Sequence, residues 1–374
     1  MKVQVINPPT HTGAEDVVQN KLIDHILNFD PLNPATSLDS SSPQPSFLIP
    51  EAVPAISWPE NLKPIPQPLP SAPVPDSSLP NADVLVVTWT VAEALALSDA
   101  LTPGFRSKTD WYDYDHNWLT EFKHKVHGAA PSLKANRLGK WFLTKIGDKN
   151  VICFKSELHM ARDGGQMPVK DLWKQLIAEV NPSLLITTGT AGGIGKDIQL
   201  GDVIVTKTVR FDCKRTFANK SFKQAMYTCK KKINVRQVRN ANDTLMHFTK
   251  DKLPVADRTA QIITRGRNGI KPNDIVTTDF FAFDDDTNDY QLQGLGTVVE
   301  MGDATLGLAC EELEAMGAQT PAWVAIRNAS DPQISGGSTL KEKADKAGRI
   351  YEKYGYWTTI NSAIACWALV TSLS

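Results

Sequence analysis

The strongest constraint on this chain is an alternation in which short β-branched runs recur between stretches of helical period. Residues 84–90 (Val-Leu-Val-Val-Thr-Trp-Thr), 184–188, 202–206, 297–300 and 322–327 are apolar runs of strand length. Such runs belong inside a sheet covered on both faces. Residues 91–101, 169–180 and 304–316 read as helices, and 341–373 as a long closing helix with small and apolar residues late. Two more strands within 141–156 flank Gly147-Asp-Lys-Asn, whose turn residues imply a hairpin. Strands alternating with helices predict an α/β fold, a mixed or parallel sheet with helices on both faces.

The N-terminal region obeys a different rule. Residues 13–29 place Val18, Leu22, Ile26 and Phe29 at helical spacing. Residues 31–80 then carry fourteen prolines, which favour extended polyproline-like structure and exclude a helix or a central strand. Phe47, Leu48, Ile49 and Trp58 predict that this arm drapes over the body or a neighbouring subunit, because free linkers rarely carry such residues. The expected organisation is a helix and proline-rich arm over 1–82, then an α/β domain over 83–374 with insertions near 104–140 and 210–265. Between Lys207 and Lys252, thirteen Lys or Arg face three Asp. Such a stripe can bind phosphates, but with little aromatic interleaving it reads as a solvated insertion, and no nucleic-acid partner is expected.

Composition narrows the class. A chain of 374 residues holds one large α/β domain with appendages, or two ordinary domains. The formal net charge of -1 fits neither a global nucleic-acid binder nor an acidic tail. Five cysteines lack C-x-x-C spacing, so neither a disulfide framework nor a cysteine zinc site is indicated. The N-terminus lacks the apolar core of a signal peptide, and no run approaches the roughly 18 apolar residues of a membrane span. A soluble, cytoplasmic protein without membrane contact is expected. His124 and His127 stand three apart with no partner ligands in view, so neither metal nor cofactor is expected. Asp284-Asp-Asp286 reads as a solvated loop.

Chemistry enters at strand ends. The run Trp323-Val-Ala-Ile-Arg-Asn-Ala-Ser-Asp331 turns polar in its last five positions, and open α/β sheets bind ligands outside the carboxyl ends of their strands. An aspartate before proline also starts turns, so a capping role stands beside the chemical one. Thr187-Thr-Gly-Thr-Ala-Gly-Gly-Ile-Gly195 follows another strand. Its glycines let backbone approach a ligand and offer N–H groups to oxygen atoms, or simply make a tight turn. It is no P-loop, since Lys196 is followed by Asp197, and no dinucleotide fingerprint, since G-x-G-x-x-G is absent.

Four segments in order carry a resemblance: Thr188-Gly-Thr-Ala-Gly-Gly, Leu200-Gly-Asp-Val-Ile-Val, Val299-Glu-Met-Gly-Asp-Ala and Arg327-Asn-Ala-Ser-Asp331. Together they resemble the nucleoside phosphorylase and nucleosidase superfamily, nearest to the methylthioadenosine/S-adenosylhomocysteine nucleosidase type, from about Asp83 to the C-terminus. The resemblance implies a three-layer α/β/α fold with a central mixed, twisted sheet, and hydrolysis of a purine nucleoside's N-glycosidic bond. It implies that Asp331 handles the purine's proton, with Ser330 and Arg327 beside it, and that Glu93 activates water. A first-turn helix position also suits a solvent-facing glutamate. It further implies substrate contacts from Thr190, Ala191 and Gly192, from Glu300 and Met301, and stacking by Phe281 in Thr277-Thr-Asp-Phe-Phe-Ala-Phe, where core packing is the other use of a phenylalanine pair.

The pattern breaks once. The family's Glu-Met-Glu, whose second glutamate grips the ribose hydroxyls, reads Glu300-Met301-Gly302-Asp303 here. Asp303 can substitute only where a bulge or helix start re-aims it, since a one-residue shift on a strand reverses the face. Asp331 must hold a raised pKa to donate at neutral pH, so burial is expected. The phosphorylases place an arginine before the glycine loop, where this chain has Thr187, and that favours water as nucleophile. A phosphorylase using Arg210 or Arg215, a nucleotide-directed nucleosidase, and a non-catalytic nucleoside-binding protein remain as alternatives. Subunit pairing in the family implies a homo-oligomer.

Overall fold

The computed structural model describes residues 13–38, 55–128, 130–265, 274–337 and 339–373. After helix α1 (Gly13–Asn28) come β1 (Ile65–Pro66), β2 (Val84–Thr88), α2 (Val91–Leu101) and β3 (Tyr112–Tyr114). The short α3 (Pro131–Ala135) precedes a hairpin of β4 (Gly139–Ile146) and β5 (Lys149–Ser156), then α4 (Pro168–Val180) and β6 (Leu184–Gly193). Next are β7 (Val203–Thr206), β8 (Thr208–Phe211), β9 (Met226–Thr228), α5 (Asn242–Thr249) and β10 (Ile262–Ile263). The chain closes through β11 (Ile275–Thr277), β12 (Val298–Glu300), α6 (Asp303–Ala315), β13 (Ala322–Asp331) and α7 (Leu340–Val370).

All these strands join one mixed sheet centred on β6, which pairs in parallel with β2 and β13 and antiparallel with β12. Period-two alternation builds a layer on each face. Val84 and Val86 of β2 pack with Leu95 and Leu97 of α2 and with Ile360 and Ile364 of α7. Leu85 and Val87 face the opposite way, into the core that holds Leu172 and Trp173 of α4 and Leu306 of α6. The result is the expected three-layer α/β/α architecture. Among the described residues no helix is long and apolar enough to cross a membrane.

Three local expectations need correction. The glycine-rich segment after 186 is not a loop: β6 runs on to Gly193, because β13 on one edge and β12 on the other keep supplying partners. Asp284 and Asp285 are not solvated, with exposures of 2% and 1%. Asp284 accepts from the Gly195 N–H (2.8 Å) and the Gln333 amide (2.7 Å), and Lys343 bonds Asp285. Strand β13 extends past 327 to Asp331, with an irregular register between Ala329 and Asp331. Of the apolar residues of the proline-rich stretch, Phe47, Leu48 and Ile49 lie outside the described residues. Trp58 packs against Trp367 with ring centroids 4.7 Å apart, and the Trp367 indole donates to the Leu62 carbonyl (2.7 Å).

The pairing of β6 opens a crevice. Its edge opposite β13 is taken by β2 only as far as Thr187, and β12 joins only at Gly192. Residues 188–191 therefore have no strand partner on that edge. Their backbone groups must bond to something else, and side chains converge there.

Candidate active site

The segment following β2 fills one side of the gap. Thr90 caps α2, and Glu93 completes a capping box with it. Glu93 is buried rather than facing solvent, at 2% exposure. Its Oε2 accepts from the Thr88 hydroxyl (2.8 Å) and the N–H groups of Trp89 (3.1 Å) and Thr90 (2.9 Å). Its Oε1 crosses the gap to accept from the N–H (2.7 Å) and hydroxyl (2.6 Å) of Thr190. Gly189, at φ +142°, makes this possible: a Cβ there would stand 2.5 Å from Glu93 Oε1. Burial alone would raise the Glu93 pKa, but the Arg327 charge and the Thr190 and backbone hydrogen bonds outweigh it and hold the carboxyl below its usual range.

Asp331 faces the opposite balance. It is buried at the end of β13, its Oδ1 accepts from the Ser330 hydroxyl (2.9 Å), and its Oδ2 lies 3.1 Å from where a Cβ on Gly192 would sit. Burial pushes its pKa up to about 7, opposed only by the Ser330 hydroxyl. One cavity of about 60 Å³ is lined by both acids.

The third side comes from β12 and its exit. Glu300 is tied down by the Thr277 hydroxyl and by the N–H groups of Gly302 and Asp303 (3.0 Å). Burial, and then the neighbouring Asp303 charge, raise its pKa to about 8. Arg327 is buried in the middle. It donates from Nε (2.8 Å) and Nη2 to Asp303, approaches Glu300 at 3.3 Å, and stacks over Trp89 with its carbon 4.6 Å from the ring centroid. Burial would lower its pKa, but Asp303, Glu300 and Glu93 raise it above the ordinary arginine value. This cation is already matched.

Thr190, Ala191, Gly192, Phe281, Glu300, Met301, Arg327 and Ser330 thus converge with Glu93 and Asp331 on one cavity. Asp303 departs from expectation. As the first residue of α6 it is re-aimed, but toward Arg327, and it does not line the cavity. Trp89 lies within 3.2 Å of where a Cβ on Gly302 would sit. Its indole N–H is buried without a hydrogen-bond partner among the described residues.

Several cavity residues escaped sequence reasoning: Trp89, His159, Tyr351, and Ile26 and Leu27 of α1. Trp89 directly follows a strand end, a signal that could have singled it out. His159 sits in the turn after β5 with no motif around it. Its Nδ1 accepts from the Ala161 N–H (3.3 Å), and burial pulls its pKa down to about 4. Neither basic candidate, Arg210 or Arg215, lines the cavity. Arg210 reaches the Leu295 carbonyl, and Arg215 stands over Phe280, 5.4 Å from its centroid. Among the described residues no trio of His, Cys, Asp or Glu is grouped to hold a metal ion.

A mixed sheet with strand-end acids gathered in a crevice defines the class, and comparison supplies the family. Residues 130–353 match the model of the phosphorylase superfamily, well over half of the chain, and the protein belongs to that superfamily. No curated protein matches the sequence. Similar solved structures include the 5′-methylthioadenosine/S-adenosylhomocysteine nucleosidase of Neisseria meningitidis bound to methylthio-immucillin-A, at 18% identity. That match covers 78% of this chain and 99% of that one, with a TM-score of 0.47. The futalosine hydrolase of Helicobacter pylori is 13% identical over 78% of this chain and 97% of its own, with a TM-score of 0.47.

Proposed function

We propose that the protein hydrolyses the N-glycosidic bond of a purine nucleoside, releasing the free base. The observation that carries this reading is the pair of buried acids in one cavity with opposite proton preferences. Glu93 is held ionised while Asp331 titrates near 7. Environments that push two carboxyls apart in this way supply a base and an acid at the same pH.

The steps follow from these preferences. A protonated Asp331 donates to a ring nitrogen of the base as the C–N bond breaks, so the electron pair leaves on a neutral base. A positioned acid contributes about 10²–10⁴-fold. Water attacks the anomeric carbon. Both Glu93 oxygens are already occupied, so its route to water runs through Thr190, whose hydroxyl donates to Glu93 Oε1 and can accept from the water. The water's proton then passes through Thr190 to Glu93, and exchange with solvent restores both acids. The Phe281 ring supplies a flat apolar face for the base.

Hydrolysis is preferred to phosphorolysis because, among the described residues, the cavity offers no uncommitted cation. Arg327 serves Asp303 and Glu300, and the His159 pKa lies far below neutrality. The same matching weighs against a phosphorylated substrate, since an anion entering here would meet carboxylates and, among the described residues, only a cation already paired with Asp303. The test is chromatography of a nucleoside and nucleotide panel incubated with and without phosphate. The expected result is phosphate-independent release of purine. Formation of a sugar 1-phosphate, or an undiminished rate in Asp331→Asn, would defeat the proposal.

A further inference from the structure

We propose that α1, from the N-terminal region outside the family match, completes the substrate pocket in cis and sets its specificity, with Gln19 as the residue that positions Phe281. The inference rests on the functional reading above for what the pocket holds, and on separate observations for what α1 does.

Helix α1 supplies two cavity walls, Ile26 and Leu27, from its last turn. These share an apolar cluster with Phe281 and Tyr351. Polar ties fix the helix at several points. The Tyr351 hydroxyl donates to the Ile26 carbonyl (3.1 Å), His25 Nε2 stands 2.8 Å from Glu352, and the Arg162 guanidinium bonds Asp24 (2.9 Å). Gln19 is buried at 6% exposure and reaches into the site's own framework. Its carbonyl accepts from the Phe281 N–H (2.9 Å), and its amide donates to the Tyr290 hydroxyl (3.1 Å). Phe281 lies beyond the end of β11 and has no ladder partner, so the helix supplies the bond that fixes its backbone.

Two consequences follow. The substrate end that reaches α1 meets Ile26 and Leu27 and, among the described residues, no cation, so an uncharged apolar group is favoured there. The space of about 60 Å³ now open between these walls is also well below the roughly 300 Å³ of a small-molecule pocket. Substrate entry therefore displaces part of the wall, and α1 is a wall element that precedes every strand of the sheet.

The experiment uses the full chain and reads base release together with nucleoside-induced thermal stabilisation. Gln19→Leu is expected to raise KM about tenfold, the scale of one buried bond lost, while kcat stays within about threefold. Leu27→Lys places a cation in the wall and is expected to raise the rate ratio of one phosphorylated nucleoside over its parent by about tenfold or more. Testing 2′-, 3′- and 5′-phosphates separately shows which substrate end faces α1. If Leu27→Lys does not fold, Leu27→Ala takes its place, with the expectation that nucleosides bearing larger groups at that end become substrates. An intact protein that neither binds nor cleaves any purine nucleoside would overturn the functional reading and this proposal with it. An active protein whose KM and substrate ratios stay unchanged in these variants would overturn the α1 proposal alone.

Discussion

Two of the buried acidic clusters among the described residues are compensated differently. Around Lys343, the Asp285 carboxylate meets the lysine, the Thr287 hydroxyl (2.9 Å) and the Asp289 N–H (3.0 Å), and Asp284 beside it is answered by amide groups. Lys343, hydrogen bonds and the neighbouring N–H together hold the Asp285 pKa below its usual range despite burial. Around Arg327, three carboxyls share one cation and a fourth lines the cavity without it. Asp303 takes the guanidinium fork, Glu300 stands beside it and Glu93 feels its charge, while Asp331 has only a serine. The first cluster is closed electrostatically and the second is not. A deficit of compensation at one carboxyl is what makes a proton available there.

The largest expected effect tests that deficit. Asp331→Asn removes the ionisable proton and should lower kcat/KM by about 10²–10⁴-fold, with the fold intact by circular dichroism. Asp303→Ala tests the compensated half of the same cluster. It strips the buried Arg327 of its main partner and should cost about 3–5 kcal/mol in denaturant unfolding. Lys343→Met opens the other cluster and should destabilise by roughly 1–3 kcal/mol, with base release unchanged. A change in kcat/KM from that substitution would erase the contrast between the two.

The pH profile gives the smallest effect and sharpens the contrast further. On the proposed mechanism Asp331 acts while protonated, so kcat/KM should fall about tenfold per unit above pH 7 and stay level below it until Glu93 takes up a proton, under its ordinary range. Stability shares that sign. The folded Asp331 pKa exceeds its unfolded value, so the folded state binds more protons between about 4 and 7, and the Asp331 contribution to stability falls as pH rises through that window. In Asp331→Asn the fall in activity above 7 and the stability trend between about 4 and 7 should both disappear, leaving any limb from Glu300 near 8.

The central strands were legible because residues buried on both faces must be apolar on both faces, as in 84–88 and 184–188, whereas β1, β3, β8, β9, β10 and β11, of two to four residues each, are too short to show a pattern. Arg327, Ser330 and Asp331 stood out by interrupting that requirement. His159, Tyr351, Ile26 and Leu27 gave no such signal, since an isolated histidine or an apolar helix residue looks the same whether it lines a pocket or a core. Asp303 was misplaced for a related reason: sequence order puts it next to Gly302, but the start of α6 turns it toward Arg327. Asp284 and Asp285 read as solvated because their partners, Gln333 and Lys343, lie about fifty residues away in sequence.

The uneven register near the end of β13 has a consequence for how this site can change. In a regular strand Ser330 and Asp331 would point to opposite faces. Here both reach the same cavity and bond to each other, because Ala329 pairs with Ala191 and Asp331 already with Gly192. The hydroxyl and the carboxyl are thus delivered together by a count of backbone residues rather than by their identities alone. Substitutions at 330 would adjust the strength of the pair. Deleting one residue would turn both groups away from the cavity together, so chain length here constrains the site as strictly as the carboxyl at 331 does.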